Sequence, residues 1–362
     1  MAWSTDNWFR DGIINELEIE MIEPTQLGVS RGMLSGFVRG NFTFGYYTDL
    51  KVSGTIEIAD ADFKPNSLIR IWHKATLGND SIRQMLATCF VSDANLEYAY
   101  GRYTGVLELS SMLLRFDGDR MHYDGGFNSG QKALEFFRYQ VESQGGEVYI
   151  HPALNEKTLP VTVWEFGDPS RSRLQMCADA TGAQIGVDSY GRITLTPYTI
   201  PFQRSLTFNL PKGEDSIVLT GVSVNNNIYS MPNRSVVKYT WEKEVFYGQA
   251  DLEGDHPASR AKRGRSQVIT EIPSTLPFAT QLEVDHRAKV NLANATSAHT
   301  KYEVNMLYYP FDAIEGQCGS FEYQDSSEKG ISADVMVQQI ELELDFMMRQ
   351  KVIFDVIRSH CA

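Results

Sequence analysis

The chain has 362 residues, enough for two or three domains, and its content of 42% hydrophobic and 11% aromatic residues is ordinary for a globular protein. Its net charge of −13, from 46 acidic and 33 basic residues, argues against a protein that binds nucleic acid by neutralising phosphates. This charge does not exclude a wall along which DNA slides.

The cysteines and the N-terminus further limit the class of protein to which the chain can belong. Cys89, Cys177, Cys318 and Cys361 lie far apart and form no C-x-x-C pair, so we expect neither a disulfide framework nor a zinc site. The N-terminus lacks a basic region followed by an apolar core, and no run approaches the roughly 18 apolar residues of a membrane span. We therefore expect folding in a cytosol and no membrane insertion.

Residues 14–116 have the pattern of β-strands almost throughout. Leu17, Ile19 and Met21 alternate with three glutamates, which predicts a strand with one buried and one acidic face. The glutamates are Glu16, Glu18 and Glu20. This face is either solvated surface or the lining of a charged lumen. Further strands are predicted at 51–58, 67–77, 82–92 and 103–114, and short strands at such regular spacing are typical of a sandwich or barrel.

Between residues 117 and 203 the pattern changes to mixed α/β. A helix is predicted after Ser129, ending at Gly145, and a second helix between the N-cap Asp168 and Gly182. Two short alternating segments at 185–187 and 193–195 then predict a hairpin. The fragment GGFNSGQK at 125–132 lacks the lysine and hydroxyl of a phosphate-binding loop, so we reject a nucleotide site.

From residue 205 onward strands return. They are predicted at 206–208, 217–225, 235–244, 302–307, 319–323, 334–344 and 350–357, with one helix at 280–300. In the last pair, apolar residues again alternate with acids, namely Glu341, Glu343 and Asp345. The basic cluster of Arg260, Lys262, Arg263 and Arg265 predicts an exposed loop; a salt bridge between subunits or a transient DNA contact is the alternative.

The sequence contains no catalytic signature. G-x-S-x-G, H-E-x-x-H and the H-x-E with P-C-x-x-C pattern are all absent. The histidines never fall at metal-ligand spacing, and they are His73, His122, His151, His256, His286, His299 and His360. We therefore expect no enzymatic activity, no cofactor and no metal.

Five stretches, in this order, resemble the baseplate hub proteins of tailed phages, the siphophage tail-hub family. Residues 68–116 are similar to the first barrel, in which an R-I-R-like strand precedes a turn and a V-x-L-x-D-like strand. Residues 159–201 resemble the small α/β insertion. The segments NNNIYSMPNRSVVKYTWE and GDHPASRAKRGRSQVITEI, followed by VNMLYYPFDAIEGQCGSFEY, are similar to the second barrel. Ala87, Ser110 or Ser111, and Gln317 depart from the family pattern.

The resemblance implies a mainly β chain with an α+β insertion: two tail-tube-like β-barrel domains at 1–117 and 204–362 flanking an α/β domain at 118–203. It also implies a homotrimer whose six barrels form a pseudo-sixfold ring at the virion tail tip. The implied partners are a distal tail protein or tail tube above, a fibre, spike or tip protein below, the tape measure protein, and passing DNA. The acids Glu16, Glu18, Glu20, Glu341, Glu343 and Asp345 would line the channel.

Two alternatives remain. A receptor- or carbohydrate-binding tail protein would need an exposed aromatic platform, for which the candidates are Tyr46, Tyr47, Tyr98, Tyr100 and Tyr103. A peptidoglycan hydrolase ranks third, because some hubs carry such a domain C-terminally; we expect none here, since the last predicted strand reaches almost to Ala362.

Overall fold

The computed structural model describes most of the chain. The described residues are 8, 12–119, 125–127, 130–159, 162–164, 166–199, 201–213, 216–226, 231–241, 244–252, 254, 258–272, 280–296, 300–324, 330–345 and 347–359.

The first part of the chain contains strands only. They are β1 Ile14–Ile22, β2 Ser30–Met33, β3 Phe37–Gly45, β4 Val52–Ala61, β5 Leu68–Leu77, β6 Asp80–Ala99 and β7 Arg102–Ser110. The alternation predicted for the first strand is confirmed, because Ile19 and Met21 are buried while Glu16 is exposed. Strand β6 is longer than predicted: its first half pairs with β5 and its second half with β7.

Helices and short strands make up the middle of the chain. They are α1 Leu114–Gly118, β8 Gly125–Phe127, α2 Ala133–Ser143, β9 Val148–Ile150, β10 Thr162–Trp164, α3 Ser170–Thr181, β11 Ala183–Val187 and β12 Ile193–Pro197. The predicted second helix is confirmed to within one residue. The predicted hairpin is also confirmed, but each of its strands is two residues longer than predicted. Pro169 is the N-cap, one position after the predicted Asp168, and Gly182 ends α3 in the left-handed region at φ 64°.

The last part of the chain is again rich in strands. They are β13 Leu206–Leu210, β14 Val218–Asn226, β15 Arg234–Trp241, β16 Glu244–Asp251, β17 Val268–Glu271, β18 Thr300–Leu307, β19 Cys318–Gln324, β20 Gly330–Leu344 and β21 Arg349–Ser359. The two helices are α4 Arg260–Arg263 and α5 Gln281–Thr296. Among the described residues, no helix is both long and apolar enough to cross a membrane.

One 13-stranded sheet runs through both β-rich parts of the chain. Its order is β14-β18-β21-β20-β3-β4-β7-β6-β5-β1-β2, with β19 on β20 and β13 on β19. The seam between the two parts is the antiparallel pair β3–β20, where Phe42 lies opposite Leu342 and Phe44 opposite Ile340. The prediction of a mainly β chain is confirmed. The hydrogen-bonded ladders of the described strands do not close into the two predicted barrels, because β3 pairs with β20 of the other part.

A separate small unit was not predicted. Strands β15–β17 form their own sheet in the order β16-β15-β17, and α5 packs on it through a core of Val237, Tyr239, Val284 and Ala288. The sequence prediction had placed this region in the second barrel. The main core contains buried side chains from both sides of residues 117 and 203. It therefore does not mark the predicted domain boundaries, which stay a prediction.

The α/β hairpin docks on the main sheet through its turn. The Thr88 hydroxyl donates to the carbonyl of Ser189 at 2.8 Å and accepts from Arg70 Nε at 3.0 Å. Gly191 lies in the same turn at φ 89°, and a Cβ there would lie 3.2 Å from both Met112 Cγ and Thr88 Cβ. The turn therefore requires glycine both for its backbone conformation and for its close approach to the sheet.

We expect Gly191→Ala to lower the free energy of unfolding by about 2–3 kcal/mol, because about 1–2 kcal/mol comes from the left-handed backbone and the rest from the contact with β6. Gly213→Ala is the matched control, since Gly213 has a similar φ of 95° but open space around it. Urea unfolding of both variants separates the two contributions. An equal loss in both variants would show that the close approach contributes nothing.

Candidate functional site

The acidic face of β1 is paired with cations. Glu16 lies 2.6 Å from Lys74 Nζ, and Glu18 lies 2.7 Å from Arg83 Nη2. Glu20 accepts a hydrogen bond from the Trp72 indole nitrogen at 2.9 Å. Acidic residues thus run along β1, while the neighbouring strands β5 and β6 place basic residues beside them. The face carries alternating charge across the strands.

The acids of β20 have a different environment. Glu341 and Glu343 lie on the face opposite the buried Ile340 and Leu342, and both line a cavity of about 450 Å³. Glu341 accepts from Gln339 Nε2 at 3.0 Å and lies opposite Lys351 of β21. These two side chains are the acids that the structure brings together at a solvent-facing cavity.

Asp345 has a local structural role. It lies just beyond the end of β20, and its Oδ1 accepts from the backbone N–H groups of Met347 at 2.8 Å and Met348 at 2.9 Å. This geometry closes the turn into β21. Five strands lie between β20 and β1 in the sheet order, so the two acidic sets are far apart along the sheet.

The five candidate tyrosines form two groups at opposite ends of β4. Tyr46 and Tyr47 lie in the β3–β4 turn, and Tyr46 is buried. Tyr98 and Tyr100 lie at the tip of the β6–β7 hairpin, where they are 63% and 105% exposed. Tyr103 is half-buried beneath them, with its ring centroid 4.8 Å from that of Tyr98. Only the hairpin tip has the exposure expected of an aromatic platform.

The basic cluster is held rigidly on the small unit. The buried amide of Asn233 donates to the carbonyls of Ala258 and Arg265 and accepts from the backbone N–H of Gln267. This fixes the loop around α4, from which Arg260 and Lys262 project into solvent. The predicted exposed loop is confirmed.

One histidine occupies a buried aromatic environment between the two β-rich parts. His73 of β5 lies 2.9 Å from Asn15 Oδ1 through Nε2, and its ring centroid is 4.5 Å from that of Tyr308 and 6.0 Å from that of Trp8. Burial lowers the pKa of His73 to about 4. His122, His256, His299, His360 and Cys361 lie outside the described residues, within which no cluster of metal-ligating side chains occurs.

We expect His73 to make the protein acid-sensitive. Because the folded state holds the neutral imidazole, this group contributes stability that is present above its unfolded pKa near 6.5 and is lost as the pH falls through about 4. The loss is about 3 kcal/mol over that window. His73→Gln should reduce the pH dependence by this amount in urea unfolding at pH 7 and pH 4. His286→Gln, at an exposed position, is the control; equal pH dependence in His73→Gln and wild type would contradict the prediction.

A groove of about 560 Å³, which was not predicted, opens where three parts of the chain meet. Its walls come from the β3–β4 turn, the end of α3 with β11, and α5. We call it the junction groove, and its principal residues are Tyr46, Lys51, Arg171, Asp179, Gln184 and Arg287. Arg287 Nη1 lies 3.8 Å from Asp179, so an ion pair across the groove connects α5 to α3.

No protein-family model and no curated protein sequence matches this chain. Several solved structures do. A tail protein from Neisseria meningitidis MC58 superimposes with a TM-score of 0.63 at 9% identity, covering 94% of this chain and 96% of that one. The 43 kDa tail protein of prophage MuSo2 from Shewanella oneidensis gives a TM-score of 0.60 at 12% identity, covering 94% and 98%.

The Francisella PdpA–VgrG complex extends the comparison beyond prophages. It matches with a TM-score of 0.56 at 9% identity over 96% of this chain and 53% of that one. At such low identities these matches show a common fold. The predicted resemblance to phage hub-type proteins is therefore confirmed for the fold, and it extends over nearly the whole length of both tail proteins.

Proposed function

We propose that this chain, whose fold is that of phage tail proteins, is a non-enzymatic structural hub of a phage tail tip. The observation that carries the proposal is the match to two tail proteins over at least 94% of every chain compared. A match of that extent includes both β-rich parts and the α/β segment together, so the shared feature is the complete arrangement rather than one common motif.

In this proposal, each β-rich part supplies one tail-tube-like domain, and three chains supply six such domains around a pseudo-sixfold ring. The β3–β20 seam supports this role because it holds the two parts in one continuous sheet within each chain. Such a ring would connect a sixfold tail tube or distal tail protein above to a fibre, spike or tip protein below, and would meet the tape measure protein.

We further assign the channel lining to the polar face of the main sheet, with Glu341 and Glu343 as its best-placed acids. Both lie opposite the core-facing side of β20. An acidic lining repels phosphate, so passing DNA would not adhere. Glu16, Glu18 and Glu20 are candidates for the same lining. Like Glu341, which lies opposite Lys351, they have nearby cations that reduce their net field. Asp345 would contribute charge from the turn at the end of β20.

Native mass spectrometry tests the assembly. The purified chain is expected as a trimer, because two similar domains per chain convert threefold into sixfold symmetry. The measurement is made at several concentrations in ammonium acetate, so that a weak trimer is distinguished from a stable monomer. A species that remains a monomer or dimer, or that forms a hexamer of whole chains, would contradict the proposal.

The second candidate function is recognition of a receptor or carbohydrate, and the hairpin tip favours it. Tyr100 and Gly101 form the two-residue turn between β6 and β7, with φ values of 51° and 81° as a type I′ hairpin turn requires, and this turn presents the fully exposed Tyr100 at the tip. Binding to a panel of host glycans that Tyr100→Ala abolishes would support this role. Unchanged binding in that variant would place recognition elsewhere.

A further inference from the structure

The junction groove contains a cation that lacks a carboxylate partner. Lys51 is half-buried at its base, and its Nζ donates to the carbonyl of Tyr46. Among the described residues, no carboxylate lies within 4.0 Å of the ammonium group of Lys51 or of Lys157, which also lines the groove. A half-buried ammonium group without a counter-ion is unfavourable, and an anion entering the groove would relieve it.

Neighbouring positive charge makes the lack of a counter-ion at Lys51 more unfavourable. Burial, and after it the guanidinium of Arg171, lowers the pKa of Lys51 to about 8, partly opposed by the carboxylates of Glu315 and Asp49. The ring of Tyr46 lies between two cations, with its centroid 5.5 Å from Lys51 Nζ and 5.0 Å from Arg204 Cζ. Its hydroxyl is fixed by Gln184 Oε1 at 2.8 Å and Arg204 Nη2 at 2.9 Å. Tyr46 is thus held in place at the floor of the groove, beside the ammonium group of Lys51, before any ligand arrives.

The acids that line the groove are engaged elsewhere. Asp179 accepts from Gln175 Nε2 at 3.1 Å and faces Arg287, and Glu283 accepts from the Thr280 hydroxyl at 2.9 Å. The side chain of Asp49 is 95% exposed and faces Arg171 Nη2 at 3.9 Å. None of these acids lies within 4.0 Å of Lys51 Nζ, yet together they would repel a multiply charged anion such as phosphate. A single carboxylate fits this charge distribution better.

The size and walls of the groove indicate what carries that carboxylate. A volume of about 560 Å³ greatly exceeds that of a small free anion, and Ala180, Ile185 and Val290 provide apolar wall. The exposed face of Tyr47 continues this wall, packed edge-on against Tyr46 at 4.8 Å. We infer that the junction groove binds a peptide segment of a partner protein that carries one acidic residue between apolar residues.

This inference is independent of the proposed trimer, because one chain builds the whole groove. The probe is a fluorescein-labelled hexapeptide with one glutamate between leucines, compared with the same peptide carrying glutamine in its place. Fluorescence anisotropy at pH 7 and low salt gives the two affinities. The glutamate peptide should bind about tenfold more tightly to the wild-type chain, since a charge-assisted contact to a buried lysine is worth roughly 1.4 kcal/mol or more.

Two variants and one control show whether Lys51 causes the preference for the glutamate peptide. Lys51→Met should remove the preference for glutamate while leaving the chain folded, because the change removes an uncompensated charge and keeps the side-chain volume. Tyr47→Ala should weaken both peptides about threefold and keep the preference, as expected for loss of apolar wall. Lys212→Met, at an exposed position outside the groove, should change neither.

Three results would overturn the inference. They are equal affinity for both peptides, including no binding of either at millimolar concentration; retention of the preference in Lys51→Met; and displacement of the peptide by millimolar inorganic phosphate, which would indicate a free-anion site. A chain that binds the peptide as a monomer would retain this inference and contradict the proposed trimer, so the two failures are distinguishable.

Discussion

Replacing Phe42 by alanine is expected to destabilise the protein by about 3–5 kcal/mol, the usual cost of removing a fully buried aromatic ring. Phe42 is 0% exposed and lies in β3 at the seam, opposite Leu342 of β20 and opposite Gly54 of β4. A Cβ at position 54 would lie 2.8 Å from the Phe42 ring, so the ring fills the space that this glycine leaves. No neighbour can close the resulting cavity without moving a strand.

Because of the seam, the loss of stability in Phe42→Ala should extend to both β-rich parts. Because β3 and β20 belong to one sheet, Phe42→Ala should lower the stability of both β-rich parts, with intrinsic fluorescence and far-UV circular dichroism moving together in guanidinium unfolding. Val38→Ala is the control in the same strand, since Val38 is 51% exposed and its loss should cost less than about 0.5 kcal/mol. A loss below 1 kcal/mol in Phe42→Ala, or a shift confined to one of two transitions, would contradict the role of the seam.

The second large effect is expected at Asp355, and here the substitution stabilises. Asp355 of β21 is 1% exposed, and neither of its carboxylate oxygens has a hydrogen-bond partner. Burial raises the pKa of Asp355 to about 7, partly opposed by Lys301 on the neighbouring strand β18. The folded state therefore prefers the protonated carboxyl, and stability falls as the pH rises from about 4 through 7.

Asp355→Asn removes this titration. At pH 8 the variant should be more stable than wild type by about 2–4 kcal/mol, because the amide is neutral and needs no dehydration of a charge. At about pH 3, where the carboxyl is protonated in both the folded and the unfolded state, the two chains should be nearly equal in stability. Asp62→Asn, at an exposed position, should leave stability unchanged at both pH values. A variant that is less stable than wild type at pH 8 would show that the ionised carboxylate has a stabilising partner.

His73 and Asp355 change the stability of the protein in opposite directions as the pH falls. Their contributions must therefore be measured separately. Acid removes the contribution of His73 and relieves the cost of Asp355, so the wild-type pH profile alone cannot separate them. Each group is resolved as the difference between one variant and wild type at every pH.

Local sequence signals predicted the helices and strands whose ends are marked by characteristic residues or whose apolar residues alternate clearly. Pro169 and Gly182 bracket α3, and the apolar alternation of β1 and β20 reports which side chains are buried. Short strands without such signals were missed, among them β2, β8 and β17, and so was the longer strand β16. A strand of three or four residues shows too few alternations to stand out from a loop.

The pairing of strands that lie far apart in the chain could not be predicted from the sequence. Nothing in the residues of β3 specifies that it pairs with β20, almost 300 residues later, so two separate barrels were the natural prediction. The junction groove was missed for the same reason, because its walls come from three distant segments. Asp355 did have a signal: it is the one charged residue in the apolar run 352–357, VIFDVI.

Images of single particles of the purified chain test the central claim most directly. The account predicts a threefold particle in which six similar lobes, two from each chain, surround a central opening, with Glu341 and Glu343 facing that opening. A monomer or a closed dimer would contradict the account, and so would a sixfold ring built from six whole chains.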